Sequence, residues 1–417
     1  MKILELAPYV YIEGHKHGGR NQSGLAYMIR SICDMLAKKH EVHVLTQSIL
    51  TEEMMVSGWR LLQRSTFTII SHFKFKYLKL ALLLSKKKES LGMSKLLLYC
   101  ISAGQVEDYI KEWKPDVVHI HGIGMYTIPY YLAASYCKMP IVSTIHGLSS
   151  FSDSSTRSDN RKKLEKDFLS MCISNGYSMT FISSGMKKAV SEYYHSECDI
   201  IRVILNCFRT PANQTVVQYS NNSNVFHLIC VGSIGENKNQ IQVIRVLSEV
   251  QKRIQSKKEV VLDLYGDGEK YEDWKLYCKD NNINGVVFHG RVSQEEVFKA
   301  MSSSDVLVFP SLMEGFGIPM AEAYSCGIPV VTYSDLDASD DLYNEDCTIF
   351  AKDRSDEALT EAIVSALNRK WDKEKIIQFS KRFTMESIGE QFCEEFSKTH
   401  KRWDFNKVSN FIKEYLR

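Results

Sequence analysis

The sequence lacks an uninterrupted apolar run long enough to span a membrane. Met1 leads directly into the strand-like residues KILELA, so we expect neither a spanning helix nor a signal peptide, and a cytoplasmic protein. An excess of charge of one sign is also missing, because 52 Lys and Arg residues face 50 Asp and Glu residues, a net charge of +2. Charge therefore gives no indication of a nucleic-acid partner.

Patterns typical of metal sites and disulfide frameworks are missing as well. The 11 cysteines are scattered without a CxxC pair, and Cys230 in the apolar run HLICVG is typical of a reduced core residue. There is no DxD motif in a suitable loop and no His/Cys spacing for zinc. We therefore expect reduced cysteines, no metal and no cofactor.

At 417 residues and 44% hydrophobic, the chain is long enough for two domains. Strand-like runs alternate with helical segments in both halves, which predicts parallel, doubly wound sheets. Residues 210–224 are polar and mark a linker or a neighbouring loop. The expected strands are residues 3–7, 41–46, 116–121, 141–146, 180–183 and 201–205, then 226–231, 260–265, 286–289, 305–309 and 328–332.

Residues 304–332 form a strand, loop, helix, strand unit that carries two carboxylates. Pro319 is placed to open the helix and Gly327 to end it. Glu314 lies in the loop, and Glu322 follows eight positions later in the first turns of the helix. Each could merely complement the helix dipole. Together, at the mouth of a parallel sheet, they could accept hydrogen bonds from a hydroxyl-rich ligand.

The run EGFGIPMAEA, with these flanking strands, closely resembles the Glu-x7-Glu signature of retaining nucleotide-sugar glycosyltransferases, in particular glycosyltransferase family 4 (glycosyl transferases group 1). The resemblance implies the α/β GT-B fold, with two Rossmann-like doubly wound domains facing a central cleft. It implies an acceptor-binding domain at residues 1–208, completed by a C-terminal helix at about 390–417 that crosses back, and a donor-binding domain at residues 209–389.

Site residues follow from the same resemblance. Glu314 is expected near the donor sugar, Glu322 at the ribose hydroxyls and Lys238 at the diphosphate, where a fixed ammonium stabilises the leaving group. The family also has a sugar-facing histidine, here His146, whereas His121 is expected to be an ordinary hydrogen-bonded strand end. The other expected contacts are backbone donors to the sugar at Gly315, Phe316, Gly317 and Ile318, a base or phosphate contact at Arg291, and a loop facing the phosphates and acceptor at Gly18, Gly19 and Arg20.

Two positions depart from the family pattern. Ser233 stands where the family has a phosphate-binding arginine, so that Arg291 or Arg20 must substitute or donor binding is weak. After Thr332, where the family commonly has a glycine-rich segment, this chain has the acidic YSDLDASDD, which would repel phosphate if it pointed there. Both departures motivate an alternative to catalysis.

The resemblance implies a retaining enzyme that moves a sugar from a nucleoside diphosphate to a hydroxyl of a glycan or lipid-linked glycan in cell-surface polysaccharide biosynthesis. UDP is the expected nucleotide from its frequency in such enzymes. Lysine and helix-dipole neutralisation should replace a divalent ion. The alternatives are a non-catalytic GT-B protein that binds a nucleotide sugar or a partner transferase, and a nucleotide-sugar epimerase.

Residues 72–95 interleave lysines with aromatic and aliphatic side chains, and Glu89 is the only acid between His72 and Lys95. Such a segment could lie on an anionic membrane surface, which would suit a membrane-attached acceptor. It could equally be a solvated helical face packed on the first domain.

Overall fold

The structure, a computed structural model, describes residues 1–13, 24–48, 50, 52–63, 71–78, 93–124, 126–148, 150–151, 159–195, 199–210, 224–254 and 258–405. The chain divides into two compact units. Unit 1 comprises Met1–Ile182, Met186–Leu205 and Met385–Arg417, and unit 2 comprises Ser183–Gly185 and Asn206–Thr384. Each unit is built on its own sheet.

Unit 1 is an α/β unit whose described strands form one sheet in the order β3-β4-β2-β1-β5-β6-β7-β8. The pairings are parallel except for the β3–β4 hairpin at the edge. Its elements are β1 (Lys2–Ala7), α1 (Gly24–Leu36), β2 (Glu41–Thr46), β3 (Met54–Val56), β4 (Trp59–Leu61), α2 (Met93–Trp113), β5 (Val117–His121), α3 (Ile128–Tyr136), β6 (Ile141–Ile145), α4 (Asp159–Asn175), β7 (Ser178–Phe181), α5 (Ser184–Tyr194), β8 (Ile201–Val203) and, from the end of the chain, α13 (Met385–Arg402).

The central strands of unit 1 are buried on both faces, as parallel strands covered by helices must be. Ile3, Leu4 and Leu6 of β1 are fully buried, and Glu5 between them is a buried exception. The helix α13 packs against α1, β5 and β6, with Phe392 at the ring of His119. The C-terminal helix is thus part of unit 1.

Unit 2 contains a second sheet in the order β11-β10-β9-β12-β13-β14, and its pairings are all parallel. Its elements are β9 (Val225–Val231), α6 (Gln240–Arg253), β10 (Glu259–Tyr265), α7 (Tyr271–Asp280), β11 (Val286–Gly290), α8 (Gln294–Ser302), β12 (Val306–Val308), α9 (Ile318–Ser325), β13 (Val330–Tyr333), α10 (Ser339–Leu342), β14 (Thr348–Ala351), α11 (Asp356–Asn368) and α12 (Lys373–Ser380).

The core of unit 2 follows from the periodicity of its segments. Val243, Leu247 and Val250 recur on one face of α6 at helical spacing and are buried with Leu262 and Leu264 of β10. The helix α8 begins with a capping box, because Ser293 accepts from the backbone N–H of Glu296 and the Glu296 carboxylate accepts from that of Ser293. Both sheets are parallel α/β layers, so the predicted fold class is confirmed.

Most predicted strands lie within one or two residues of the observed ones. The hairpin β3–β4 and the strand β14 were not predicted. The described cysteines are free, and they are buried or half-buried.

Candidate functional site

Strand order places two loops of unit 2 side by side. The sheet runs from β9 to β10 and β11 on one side, and from β12 to β13 and β14 on the other. The loops after β9 and β12 therefore leave the carboxyl edge at the point where the strand order reverses. In open parallel sheets, the crevice at this switch point is the usual ligand site. Lys238 lies in the first loop and Glu314 in the second.

Lys238 and Glu314 form an ion pair through Nζ and Oε2. The side chains are 21% and 23% exposed, so solvent reaches both groups. The ammonium also lies 5.2 Å from the ring centroid of Phe309, which adds a cation–π contact. The two residues singled out for the diphosphate and the sugar are thus brought together.

The loop that carries Glu314 is held by hydrogen bonds to its neighbours. The backbone N–H of Leu312 donates to the carbonyl of Asn237 at 2.8 Å, and Nδ2 of Asn237 donates to the carbonyl of Met313 at 2.9 Å. These bonds join the loops after β9 and β12. The position of Glu314 relative to Lys238 is therefore set by backbone contacts as well as by charge.

Arg354, which follows β14, is a third anchor for this loop. Its guanidinium donates to the carbonyl of Ser311 at 3.1 Å and forms a two-pronged contact with Asp335 at 2.6 and 2.7 Å. Asp335 is the first acid of the YSDLDASDD segment. This acid is therefore paired with an arginine, which reduces the repulsion that the sequence predicts toward a phosphate.

The entry into α9 needs a glycine. Gly317 is the N-cap residue with φ of 90°, in the left-handed region that L side chains rarely adopt. A Cβ there would lie 3.2 Å from Sδ of Met320 and 3.3 Å from Cε1 of Phe309. Phe316 is buried against Phe383, so the turn before α9 is packed as well as bent.

Glu322 lies inside α9 and is nearly buried, with 8% of its surface exposed. Nε2 of Gln294, on α8, donates to Oε1 of Glu322 at 3.3 Å. Burial raises the pKa of Glu322 to about 7, and the hydrogen bond from Gln294 acts in the opposite direction. In the free protein this carboxyl group therefore changes its charge near neutral pH.

The other predicted residues of unit 2 lie at the same edge of its sheet. Ser233 is exposed after β9, and its carbonyl accepts from Nε2 of Gln240 at 3.1 Å. Arg291 is exposed after β11, the edge strand, two strands away from β9. Gly315 and Ile318 are half-buried on either side of the turn.

In unit 1, the predicted His146 directly follows β6 and is half-buried. Its Nε2 lies 3.1 Å from Nδ1 of His121, and Nε2 of His121 lies 2.7 Å from Oε2 of Glu5. His121, which the sequence predicts as a hydrogen-bonded strand end, thus has a hydrogen-bond partner at each ring nitrogen. Gly18, Gly19 and Arg20 lie outside the described residues.

Family models match both halves of the chain. The model of glycosyltransferase family 4 matches residues 22–210, and that of glycosyl transferases group 1 matches residues 214–383. The chain belongs to the group 1 glycosyltransferase family. The family that the sequence motifs predicted is therefore confirmed.

Two curated relatives show how distant the similarity is. An uncharacterized glycosyltransferase of Methanocaldococcus jannaschii is 25% identical over 236 residues, which are 53% of this chain and 58% of the relative. The phosphatidylinositol N-acetylglucosaminyltransferase GPI3 subunit of Saccharomyces cerevisiae is 25% identical over 262 residues, 61% of this chain and 55% of the relative. The chain spans about half the length of these curated relatives.

A solved structure shares the fold of this group 1 family member over nearly all of its length. Anabaena HepE, in complex with UDP and glucose, is 16% identical, with a TM-score of 0.59 over 95% of this chain and 100% of that chain. At this identity the likeness shows the fold alone, and the fold is GT-B.

Sequence reasoning missed three residues that organise these sites. Glu5 and His119 carried a visible signal, because a carboxylate in the middle of an apolar strand and the pattern HIH are polar exceptions in buried runs. Arg354 carried none, since only the strand order brings the end of β14 to the loop after β12.

One group among the described residues offers three metal-ligating atoms within 4.8 Å of one another: Glu5, His119 and His121. A carboxylate with two imidazoles is a donor set that zinc accepts. These atoms already contact one another, however, with Oε2 of Glu5 2.8 Å from Nδ1 of His119 and 2.7 Å from Nε2 of His121. Oε1 of Glu5 and Nδ1 of His119 nevertheless have no hydrogen-bond partner among the described residues, so hydrogen bonds alone do not satisfy this buried group.

The described part of the basic segment packs on α2. Nζ of Lys76 lies 2.7 Å from the buried carboxylate of Glu107, and Lys74 pairs with Asp108. Phe75 between them is exposed. Residues 79–92 lie outside the described part of the chain. Of the described helices, none combines the length and the apolar character that a membrane crossing requires.

Proposed function

We propose that this protein transfers a glycosyl group from a nucleoside diphosphate sugar to a hydroxyl group of an acceptor. The Lys238–Glu314 pair at the switch point of the unit 2 sheet carries this proposal, because it places a cation and a carboxylate where such sheets bind ligands. Family membership supports the same activity.

Lys238 binds the diphosphate in this proposal. Glu314 holds the ammonium in place and offsets part of its positive charge. An ammonium has three hydrogen-bond donors, so it can contact a phosphate oxygen while it keeps Glu314. As the bond from the sugar to the phosphate breaks, the leaving group gains charge, and the ammonium then stabilises the transition state more than the ground state.

The two carboxylates bind different parts of the donor. Glu314 accepts hydrogen bonds from sugar hydroxyls and stabilises positive charge at the anomeric carbon. Glu322 accepts from the two ribose hydroxyls in its ionised form, and its pKa of about 7 makes that form available at neutral pH and above. The backbone N–H groups of residues 315–318 donate to the sugar.

The reaction retains the anomeric configuration by front-face displacement. The bond from the anomeric carbon to the phosphate oxygen breaks, the acceptor oxygen bonds to the same face, and the acceptor proton passes to the departing phosphate. This route requires no second carboxylate on the opposite face. His146 hydrogen-bonds the donor sugar, and no divalent ion takes part.

UDP is the proposed nucleotide, and a glycan or lipid-linked glycan of the cell surface is the proposed acceptor. HepE was solved with UDP, and the yeast relative is named for transfer to phosphatidylinositol. A contact of residues 72–95 with an anionic membrane and a cytoplasmic location stay predictions.

A non-catalytic nucleotide-sugar-binding protein is the second candidate. It is favoured by the exposed Ser233, which replaces the expected phosphate-binding arginine after β9. On this hypothesis the protein binds the donor without turnover.

Nucleoside diphosphate release separates the two candidates. A thermal-shift screen of nucleotide sugars first selects the donor, since a ligand that binds only the native state raises its stability. Release is then measured with wild type, Lys238→Ala, Glu314→Ala and Lys375→Ala. Lys375 is a matched control, because it is a paired lysine of unit 2 that contacts Asp346.

We expect kcat to fall by about 100- to 1000-fold in Lys238→Ala, as when one preorganised donor to a developing charge is removed. Glu314→Ala should also lose release, and Lys375→Ala should match wild type. Donor binding without release on any acceptor would instead establish the non-catalytic candidate.

A further inference from the structure

The imidazole of His146 is connected to a buried carboxylate through one other ring. Glu5 of β1 is fully buried and contacts His121, and His121 in turn contacts His146. The rings of His121 and His146 are stacked, with centroids 5.4 Å apart and planes 25° apart. The geometry fixes which nitrogen faces which partner.

The proton positions follow from the chemistry of the partners. Burial alone would raise the pKa of Glu5, but the neighbouring imidazoles of His119 and His121 outweigh it and lower the pKa to about 2. The carboxylate is therefore ionised and can only accept. Nε2 of His121 must then carry the hydrogen that it donates to Glu5.

The same argument applies to the hydrogen bond between His121 and His146. Burial lowers the pKa of His121 to about 4, so the ring is neutral and its Nδ1 has a lone pair that accepts. Nε2 of His146 must then carry the hydrogen of the 3.1 Å contact. Burial, and then the neighbouring His121 and His119, lower the pKa of His146, so its Nδ1 carries no proton.

We propose that Glu5 is a positioning residue that acts through His121 and holds His146 as the neutral Nε2–H tautomer with an unprotonated Nδ1. His146 then meets its ligand as a hydrogen-bond acceptor and takes a sugar hydroxyl as a donor. This last step rests on the proposed function. The tautomer itself does not.

Glutamate is needed for this role because a carboxylate sets the direction of the hydrogen bonds. A glutamine of the same shape both accepts and donates, so the hydrogen bonds from residue 5 through His121 to His146 could then point in either direction. With these hydrogen bonds reversed, Nδ1 of His121 would donate to Nε2 of His146, and Nδ1 of His146 would carry the proton. Glu5→Gln therefore mixes the two tautomers of His146.

The direct test is 15N NMR of the histidine rings in full-length wild-type protein, with His121 and His146 assigned through His121→Gln and His146→Gln variants. We expect neutral Nε2–H signals for both rings at pH 7. A protonated Nδ1 on either ring overturns the proposal. So does stoichiometric zinc in the purified protein with metal-bound signals from His119 and His121. This test needs no donor or acceptor, so it stands even if glycosyl transfer is disproved.

Kinetics test the consequence in Glu5→Gln, with Glu395→Gln as the control. Glu395 is another buried carboxylate of unit 1, which accepts from Ser178 and Thr399. We expect Glu5→Gln to give mixed His146 signals and a kcat lower by about 10- to 100-fold, by analogy with the loss seen when the hydrogen-bond partner of a metal-binding histidine is removed. The donor KM and the activity of Glu395→Gln should change little.

A Glu5→Gln protein whose His146 signals match wild type overturns the proposal. Mixed signals with unchanged kcat leave the tautomer assignment standing and remove His146 from the reaction. If Glu5→Gln does not fold, the wild-type spectrum alone decides the assignment.

Discussion

Glu322 is a residue whose proposed function opposes stability, and Glu322→Gln tests this directly. The carboxyl group is nearly buried in α9, where the amide of Gln294 is the contact that the structure gives it. A glutamine at this position keeps the oxygen that accepts from Gln294 but carries no charge at any pH. The substitution therefore isolates the cost of burying the charge.

The magnitude follows from the pKa of about 7 against the ordinary value of 4.5. One pKa unit corresponds to about 1.4 kcal/mol, so the ionised carboxylate lowers the free energy of unfolding by about 3 kcal/mol. The folded protein retains a proton that the unfolded chain has released between pH 4.5 and 7. Stability from this residue is thus greatest below pH 4.5 and falls as pH rises toward 7.

The assay is urea unfolding of wild type and Glu322→Gln from pH 5 to 8.5, monitored by tryptophan fluorescence, with Trp59, Trp113 and Trp403 of unit 1 replaced by Phe in both proteins so that the signal comes from Trp274 and Trp371 of unit 2. We expect the variant to become the more stable protein as pH rises, and the difference to grow by about 2.5 kcal/mol over this range, because part of the effect is already present at pH 5. Glu361→Gln, at an exposed position of α11, is the control and should add no pH-dependent difference.

The affinity of the wild-type protein for the nucleotide should depend on pH in the opposite sense to its stability. Wild-type affinity for UDP should fall as pH drops below 7, because protonation removes the acceptor of the ribose hydroxyls, and Glu322→Gln should bind weakly at every pH. Parallel stability curves for the two proteins from pH 5 to 8.5 would refute the buried-charge argument. Unchanged UDP binding by the variant at pH 8 would refute the ribose contact.

Three further outcomes are expected. Gly317→Ala should lower the free energy of unfolding by about 1–2 kcal/mol because of the positive φ at this position, which corresponds to roughly 2–4 °C of Tm per kcal/mol. Gly24→Ala should leave Tm unchanged, because a Cβ added at Gly24 would meet open space. Equal Tm values for the two variants would contradict the strained turn at Gly317. Arg354→Ala should weaken UDP binding by about 1–3 kcal/mol, because it releases the loop before Glu314. Arg245→Ala breaks a similar two-pronged pair with Asp356 and should leave UDP binding unchanged. Equal effects of the two substitutions would exclude a specific role of Arg354 as an anchor of this loop. EDTA should leave turnover intact, and loss of activity that manganese restores would refute the metal-free mechanism.

Local sequence was sufficient for the alternation of strands and helices and for the turn that begins α9. Val306–Val308 and Val330–Tyr333 are continuous apolar runs, and Pro319 and Gly327 bound the helix between them, so each signal lies within a few residues. The short hairpin β3–β4 lacked such a signal, because three-residue strands at a sheet edge are too short to show a period.

The candidate residues were found by motif, but their partners were not. Glu314 and Lys238 are 76 positions apart, and nothing local indicates that they pair. Their contact depends on β9 and β12 being neighbours, and Arg354 reaches the same loop only because β13 and β14 follow in the sheet.

The sequence by itself therefore determined which segments fold into strands and predicted which residues bind a nucleotide sugar, since these depend on short-range periodicity and side-chain chemistry. The tertiary structure alone decided that Lys238 meets Glu314 and that Glu5 reaches His146 through His121. The reason is that strand order is settled by packing across the whole unit, and it brings together charges that no local pattern connects.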